Sequence, residues 1–341
     1  MLRVYIISFI IGILTTGCAS SIPCYPPSYY DPEPGSSYTS EEVFVSSSDD
    51  TELVGTLTLP SDADPPFPAV ILVTGSSPQN RDMMGSRFEP LCFYRPFRQI
   101  ADSLSRQGIA VLRMDDRGVG CSGGGPLKDV TIPERAEDTR AGLNYLRGRE
   151  EIDAQRLGII GISEGGNIGP MLATTDPSIH ALVIMSGSAT NGWEIIEYQY
   201  RYEIDREQGL TDEDREQKVA EAMKNFELAV SRGEGSRWLE SFLDYNPLQT
   251  AQKVSSPVLI LHGDRDAHVP VEHAHLLAEA MRSGGNNDVT VKILADHNHP
   301  FLKDPDGRKS RYKELLRHTN KLSESLLKII SDWISNRLAQ E

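Results

Sequence analysis

Short apolar runs of strand length alternate along this chain with stretches whose apolar positions recur at helical spacing. Residues 69–73, 109–112, 157–160, 181–185 and 258–261 form such runs, and a further strand pattern covers 289–294. A continuous apolar run of four or five residues suits a strand covered on both faces of a parallel sheet. Helical spacing occupies 96–107, stopped by Gly108, and 133–149, where Ala136, Leu143, Tyr145 and Leu146 are the candidate buried residues. Two runs, 43–45 and 53–59, flank the polar turn 46–50 and predict an N-terminal β-hairpin ended by Pro60. This alternation implies an α/β fold with a mostly parallel, doubly wound sheet. Function in such sheets collects at the carboxyl ends of the strands.

One connection is oversized. Residues 190–250 hold helical stretches, among them 193–208 and a segment opened by the capping-box pattern Thr211-Asp212-Glu213-Asp214. Connections in α/β units are ordinarily much shorter, so this one is expected to be a helical cap inserted over the sheet's active end. Its aromatics, Trp193, Tyr198, Tyr200, Tyr202, Phe226, Trp238 and Phe242, are expected to pack the cap helices together and onto the core, a minority lining an acyl pocket. From Ser310 to the end, Leu315, Leu322, Leu326, Ile329, Ile330 and Trp333 predict a terminal helix.

The first residues differ in kind. Arg3 precedes an almost unbroken apolar run, 4–14, too short to span a membrane and of signal-peptide length. It ends in Leu14-Thr15-Thr16-Gly17-Cys18-Ala19-Ser20, which resembles a bacterial lipoprotein signal, with Thr15 in place of the commoner Leu. The resemblance implies removal of 1–17, lipidation of Cys18, and, from Ala19, an outer-membrane destination on the periplasmic side; an ordinary secretory signal or an uncleaved anchor is the plainer alternative. Residues 18–40, dense in Pro, Ser, Tyr and Gly, read as a tether, leaving 41–341 as the folded domain.

Composition narrows the partners. With 34 basic against 49 acidic side chains the net charge is −15, which disfavours nucleic-acid and anionic-lipid surfaces and suits a neutral or weakly polar substrate. Beyond Cys18 stand Cys24, Cys92 and Cys121, an odd set without C-x-x-C spacing. That set indicates neither a metal site nor a disulfide framework, though a single bridge is allowed.

The candidate chemistry centres on Gly161-Ile162-Ser163-Glu164-Gly165, a G-x-S-x-G sequence between a strand pattern and a helical one. A serine on such a corner is an exposed nucleophile. Gly120-Cys121-Ser122-Gly123-Gly124 carries the same letters, but it follows Asp115-Asp116-Arg117-Gly118 and leads into Gly125-Pro126, so it reads as a loop. A serine hydroxyl needs a base and a group to orient that base. Two strand-end loops offer them: His262-Gly263-Asp264-Arg265-Asp266-Ala267-His268 and Ala295-Asp296-His297-Asn298-His299. Residue type alone leaves Asp264 or Asp266, and His297 or His299, open. No metal or cofactor is implied, since the histidines lack H-E-x-x-H spacing.

The order Ser, Asp, His is that of the α/β-hydrolases. From residue 41 onward the chain resembles α/β-hydrolase serine esterases, most of all the bacterial carboxylesterases with a helical cap between the sixth and seventh strands. Thr74-Gly75-Ser76-Ser77-Pro78-Gln79-Asn80-Arg81-Asp82 is similar to that family's oxyanion loop, departing at Ser77 and Asn80. Asp116-Arg117-Gly118-Val119-Gly120-Cys121-Ser122 is similar to its Asp-Arg-Arg-Gly turn, and Phe242-Leu243-Asp244-Tyr245-Asn246-Pro247 to its cap exit. The resemblance implies Ser163 as nucleophile, His299 of the Asn298-His299 pair as base, and Asp266, three residues after Gly263, as the orienting carboxylate. It further implies an oxyanion hole of the backbone N–H groups of Ser76 and Glu164. The expected activity is hydrolysis of carboxylic esters of short to medium acyl chains through an acyl-enzyme. Peptidase, thioesterase or acyltransferase activity on the same triad is the nearest alternative, and a non-catalytic binding lipoprotein a more distant one.

Overall fold

The computed structural model describes residues 22–85, 94–307 and 312–339. Cys18 and the segment 1–17, like Cys92, lie outside them. Eight strands form one sheet: β1 (Tyr38–Ser46), β2 (Glu52–Pro60), β3 (Phe67–Val73), β4 (Ala110–Met114), β5 (Ile152–Ile162), β6 (Ile179–Met185), β7 (Val258–Gly263) and β8 (Val289–Leu294). Their order across the sheet is β1-β2-β4-β3-β5-β6-β7-β8. The β1–β2 hairpin and the β2–β4 pair are antiparallel, and every pair from β4 to β8 is parallel.

The continuous apolar runs are explained by two cores, one on each face. Alternate residues of one strand divide between them: Ala69, Ile71 and Val73 enter one core, Val70 and Leu72 the other, and Leu157 and Ile159 oppose Ile160 and Ile162 in the same way. Helices α1 (Pro96–Ser105) and α10 (Glu324–Leu338) cover one face through Phe97, Ile100, Leu104, Leu326, Ile330 and Ile334. On the other face lie α2 (Ile132–Arg147), α3 (Gly165–Ala173) and α8 (His273–Ser283), burying Leu143, Leu146, Ile168, Leu172, Leu277 and Met281.

Between β6 and β7 run α4 (Gly192–Ile204), α5 (Asp212–Ser231), α6 (Arg237–Asp244) and the short α7 (Pro247–Ala251). Thr211 and Asp214 form a reciprocal capping box at the start of α5. Ile196, Tyr200, Ile204, Val219, Phe226, Trp238, Leu239 and Leu243 make a third apolar cluster that belongs to this insertion alone.

Two expectations are corrected. The segment expected as a tether is packed on the domain from residue 22: Tyr30 is buried, Arg81 lies 4.2 Å over its ring, Arg95 lies 4.2 Å over that of Tyr29, and Cys24 is disulfide-bonded to Cys121. Composition suggested a linker because tyrosines held by cation–π contacts leave no periodic pattern. The terminal helix is two helices, α9 (Tyr312–His318) and α10, because Ser323 caps Leu326 N–H and starts a new helix inside the apolar stripe. Among the described residues no helix is long and apolar enough to cross a membrane.

Candidate active site

Strand β5 ends at Ile162 and α3 begins at Gly165, so Ser163 and Glu164 carry the whole reversal. Ser163 adopts φ +55°, a left-handed conformation that costs a non-glycine residue free energy and recurs where function requires it. Its N–H is held by Met185 O at 2.8 Å. The flanking glycines are steric necessities. A Cβ on Gly161 would stand 2.0 Å from Gly165 O, and one on Gly165 2.2 Å from Val73 O, both backbone atoms that cannot swing aside. The corner therefore holds Ser163 partly exposed among buried neighbours.

Strands β7 and β8 are parallel neighbours, and the loops leaving their carboxyl ends meet. His299 Nδ1 lies 2.7 Å from Asp266 Oδ2. The other carboxylate oxygen of Asp266 accepts N–H bonds from His268 at 2.8 Å and Val269 at 2.9 Å. His262 Nε2 stands 3.3 Å from Oδ2 and 3.1 Å from Val269 O. Burial of Asp266 favours its neutral form, but the charge of His299 and hydrogen bonds from His262 and His299 outweigh it and hold the carboxyl well below the usual range. With Nδ1 engaged, Nε2 is the ring nitrogen of His299 left for proton exchange. Tyr198 from α4 donates to the main-chain oxygen of Asp266 at 2.7 Å, tying the insertion to this loop.

The competing residues face elsewhere. His297 Nδ1 lies 2.8 Å from Ala295 O and its Nε2 3.4 Å from Ser323 Oγ. Asp264 is exposed and accepts Asp296 N–H at 2.7 Å, bracing one loop on the other. Ser122 donates to Asp115 O and accepts Val54 N–H, both at 2.9 Å, so this second G-x-S-x-G serine is buried in a turn. His273 Nδ1 accepts Ala189 N–H at 3.1 Å.

The loop after β3 passes beside the corner, since β3 and β5 are neighbours. A Cβ on Gly75 would lie 3.3 Å from Ser163 Cβ. A buried polar network fixes this loop. Gln79 Oε1 accepts Gly75 N–H at 3.1 Å, Asp116 accepts Gln79 N–H at 2.9 Å, and Thr74 donates its hydroxyl to Asp116. Burial pushes the Asp116 carboxyl up to about 6, against the pull of Arg135 and the hydrogen bonds from Thr74 and Gln79. Arg81 pairs with Asp115 just behind. Arg135, from the first turn of α2, donates to Gly75 O at 2.8 Å and Thr74 Oγ1 at 2.9 Å, and it pairs with Glu164 and Asp116. Trp238 of α6 donates to Glu164 Oε2 at 2.6 Å.

Sequence patterns did not single out Arg135, which belongs to no motif and sits in a helix with a weakly apolar face. Its partners come from three separate loops.

The structure thus joins His299 to Asp266 and sets Ser163 beside the loop of Ser76. Among the described residues Ser163 Oγ and His299 share no hydrogen bond, the side-chain bond of His299 being to Asp266. Nor is there, among those residues, a group of three or more His, Cys, Asp or Glu side chains able to hold a metal ion.

The Hydrolase_4 family, described as serine aminopeptidase, S33, matches residues 94–306. The chain belongs to this family of α/β-hydrolases. It is 26% identical over 280 residues to esterase EstD of Thermotoga maritima, covering 81% of this chain but 62% of that protein. An uncharacterized peptidase of Bacillus subtilis, YtmA, is 26% identical over 188 residues, 55% of this chain and 63% of its own length. The chain therefore spans somewhat under two thirds of either relative. In fold it is similar to the α/β hydrolase GrgF of Penicillium (TM-score 0.60, 20% identity, 88% of this chain and 99% of that one) and to the Pyrococcus furiosus esterase Pf2001 (TM-score 0.56, 20% identity, 89% and 99%).

Proposed function

We propose that this α/β-hydrolase is a serine esterase that cleaves carboxylic esters of short to medium acyl chains through an acyl-enzyme. The observation that carries the reading is the 2.7 Å bond between His299 Nδ1 and Asp266 Oδ2 at the same carboxyl end of the parallel strands as a serine held at positive φ.

Ser163 Oγ attacks the ester carbonyl carbon as its proton passes to His299 Nε2, and Asp266 stabilises the imidazolium and fixes its tautomer. The negative charge that develops on the carbonyl oxygen is received by the backbone N–H groups of Ser76 and Glu164, the latter at the N-terminus of α3. Collapse breaks the C–O bond, and His299 returns the proton to the leaving alkoxide. Water then attacks the acyl-Ser163 carbonyl with His299 again as base, releasing the acid and restoring the serine.

Ester cleavage accords with the esterase named among the relatives, whereas the family description and YtmA name peptidases. A panel of p-nitrophenyl esters, acyl thioesters and aminoacyl amides separates the readings. The expected outcome is turnover of short and medium esters that Ser163→Ala, His299→Ala and Asp266→Asn abolish or cripple. Faster turnover of aminoacyl amides would replace the ester reading with a peptidase one.

We further propose that the enzyme is held at the cell envelope by lipid on Cys18. The Cys24–Cys121 disulfide supports this placement, because such bonds persist in oxidising compartments. Labelled palmitate should enter the wild-type protein, and a Cys18→Ala form that is still labelled contradicts the anchor.

A further inference from the structure

The peptide joining Gly75 to Ser76 is held from one side by a side chain that no motif marks. Arg135 is buried, and its guanidinium donates to Gly75 O at 2.8 Å. A trans peptide is planar, with its C=O and N–H pointing in opposite directions. Fixing the Gly75 carbonyl on Arg135 therefore fixes the Ser76 N–H pointing away from it. The same guanidinium is clamped by Glu164, the residue after Ser163, and by Asp116, which also receives Gln79 N–H and the Thr74 hydroxyl. One cation thus ties the direction of the Ser76 N–H to the corner that carries the other oxyanion donor.

Glu164 is in turn held from the insertion. Trp238 Nε1 donates to its Oε2 at 2.6 Å, and the indole is stacked on Phe242 with centroids 5.2 Å apart. With both oxygens engaged, one by Arg135 and one by Trp238, the Glu164 carboxylate has a single orientation.

We infer that Arg135 is a positioning residue for the oxyanion hole, aiming the Ser76 N–H through the Gly75 carbonyl, and that Trp238 of α6 couples the inserted helices to that aim through Glu164. This rests on the esterase reading above. A lysine at 135 keeps a buried positive charge but, as a compact point charge, cannot reproduce the planar fork that serves Glu164, Asp116, Thr74 and Gly75 together.

The test compares wild type, Arg135→Lys and Trp238→Phe, with thermal melts to verify folding, using a p-nitrophenyl ester and a trifluoromethyl ketone of matching acyl chain. The ketone takes up Ser163 Oγ as a hemiketal whose oxygen occupies the oxyanion position, so its affinity reads the hole directly. Arg135→Lys should lower kcat by roughly tenfold or more, up to the roughly hundred- to thousandfold that outright loss of an oxyanion donor costs. KM should stay nearly constant, and ketone affinity should weaken in parallel with kcat/KM. Trp238→Phe, which keeps an aromatic ring beside Phe242 but removes the N–H with the pyrrole half of the indole, should show a smaller loss of the same kind.

A folded Arg135→Lys with unchanged kcat and ketone affinity overturns the inference, as does a fall in kcat with ketone affinity unaltered. Should Arg135→Lys not fold, Trp238→Phe decides alone, and wild-type values there overturn it. Failure of the esterase reading is distinct: wild-type protein then either leaves both the ester and the ketone untouched or, as a peptidase, takes up the ketone but turns over aminoacyl amides faster than the ester.

Discussion

The imidazole of His268 lies on that of His299, with ring centroids 4.6 Å apart and planes inclined by 25°. The contact adds a second restraint to His299, whose edge is already fixed by Asp266. A stacked aromatic pair contributes about 0.5–1.5 kcal/mol, which if lost only from the reactive orientation slows the reaction by roughly two- to tenfold. His268→Ala should therefore lower kcat within that range in ester hydrolysis, and His268→Phe should recover most of it. Equal loss in both variants would show that the ring stack is not what matters.

His273 gives the stability a pH dependence of known sign. Burial, followed by the nearby charge of His262, lowers its pKa to about 4 from an ordinary value of 6.5. The unfolded chain therefore binds the proton first as pH falls, and stability declines through the window from 6.5 to 4. Its Nδ1 must stay unprotonated to accept Ala189 N–H. The shift sets an upper bound of about 3 kcal/mol. Asp116, raised by burial, acts oppositely: its contribution is greatest at low pH and is lost as pH rises toward 6. The melting temperature of wild type minus that of His273→Gln isolates the histidine, and this difference should fall between pH 7 and pH 4. A constant difference would contradict the assignment.

Cys24 and Cys121 are 97 residues apart and close one large loop. Native disulfides of this kind typically contribute about 2–4 kcal/mol, chiefly by restricting the unfolded chain. Cys24→Ser should lower the denaturant midpoint by the equivalent of that range, and dithiothreitol should do the same to wild type while leaving the variant unchanged. An additive loss in the variant under reductant would show that another bond is involved.

Much of the architecture was legible because strands buried on both faces must be apolar throughout. The run around Leu157–Ile162 is one example, its alternate residues feeding two cores. Ser163 stood out because a corner this tight requires Gly161 and Gly165 at fixed spacing. The choice between His297 and His299 was not decided by residue type, since both are histidines two positions apart; the resemblance favoured His299, and of the two rings the structure turns only that of His299 toward Asp266. Arg135 and Trp238 were illegible as partners, because their meeting at Glu164 depends on three elements converging in space. The N-terminal segment misled for a related reason: Tyr29 and Tyr30 are held by arginines distant in sequence, and a proline-rich stretch so held has the composition of a linker.

The central claim is that Ser163 is the nucleophile activated by His299 and Asp266, and active-site titration with a fluorophosphonate followed by peptide mass spectrometry tests it most directly. The account predicts one phosphonate per chain, on Ser163, with labelling lost in Ser163→Ala and strongly slowed in His299→Ala but not in His297→Ala. A folded wild-type protein that stays unlabelled, or one labelled at Ser122 or another serine, would contradict it.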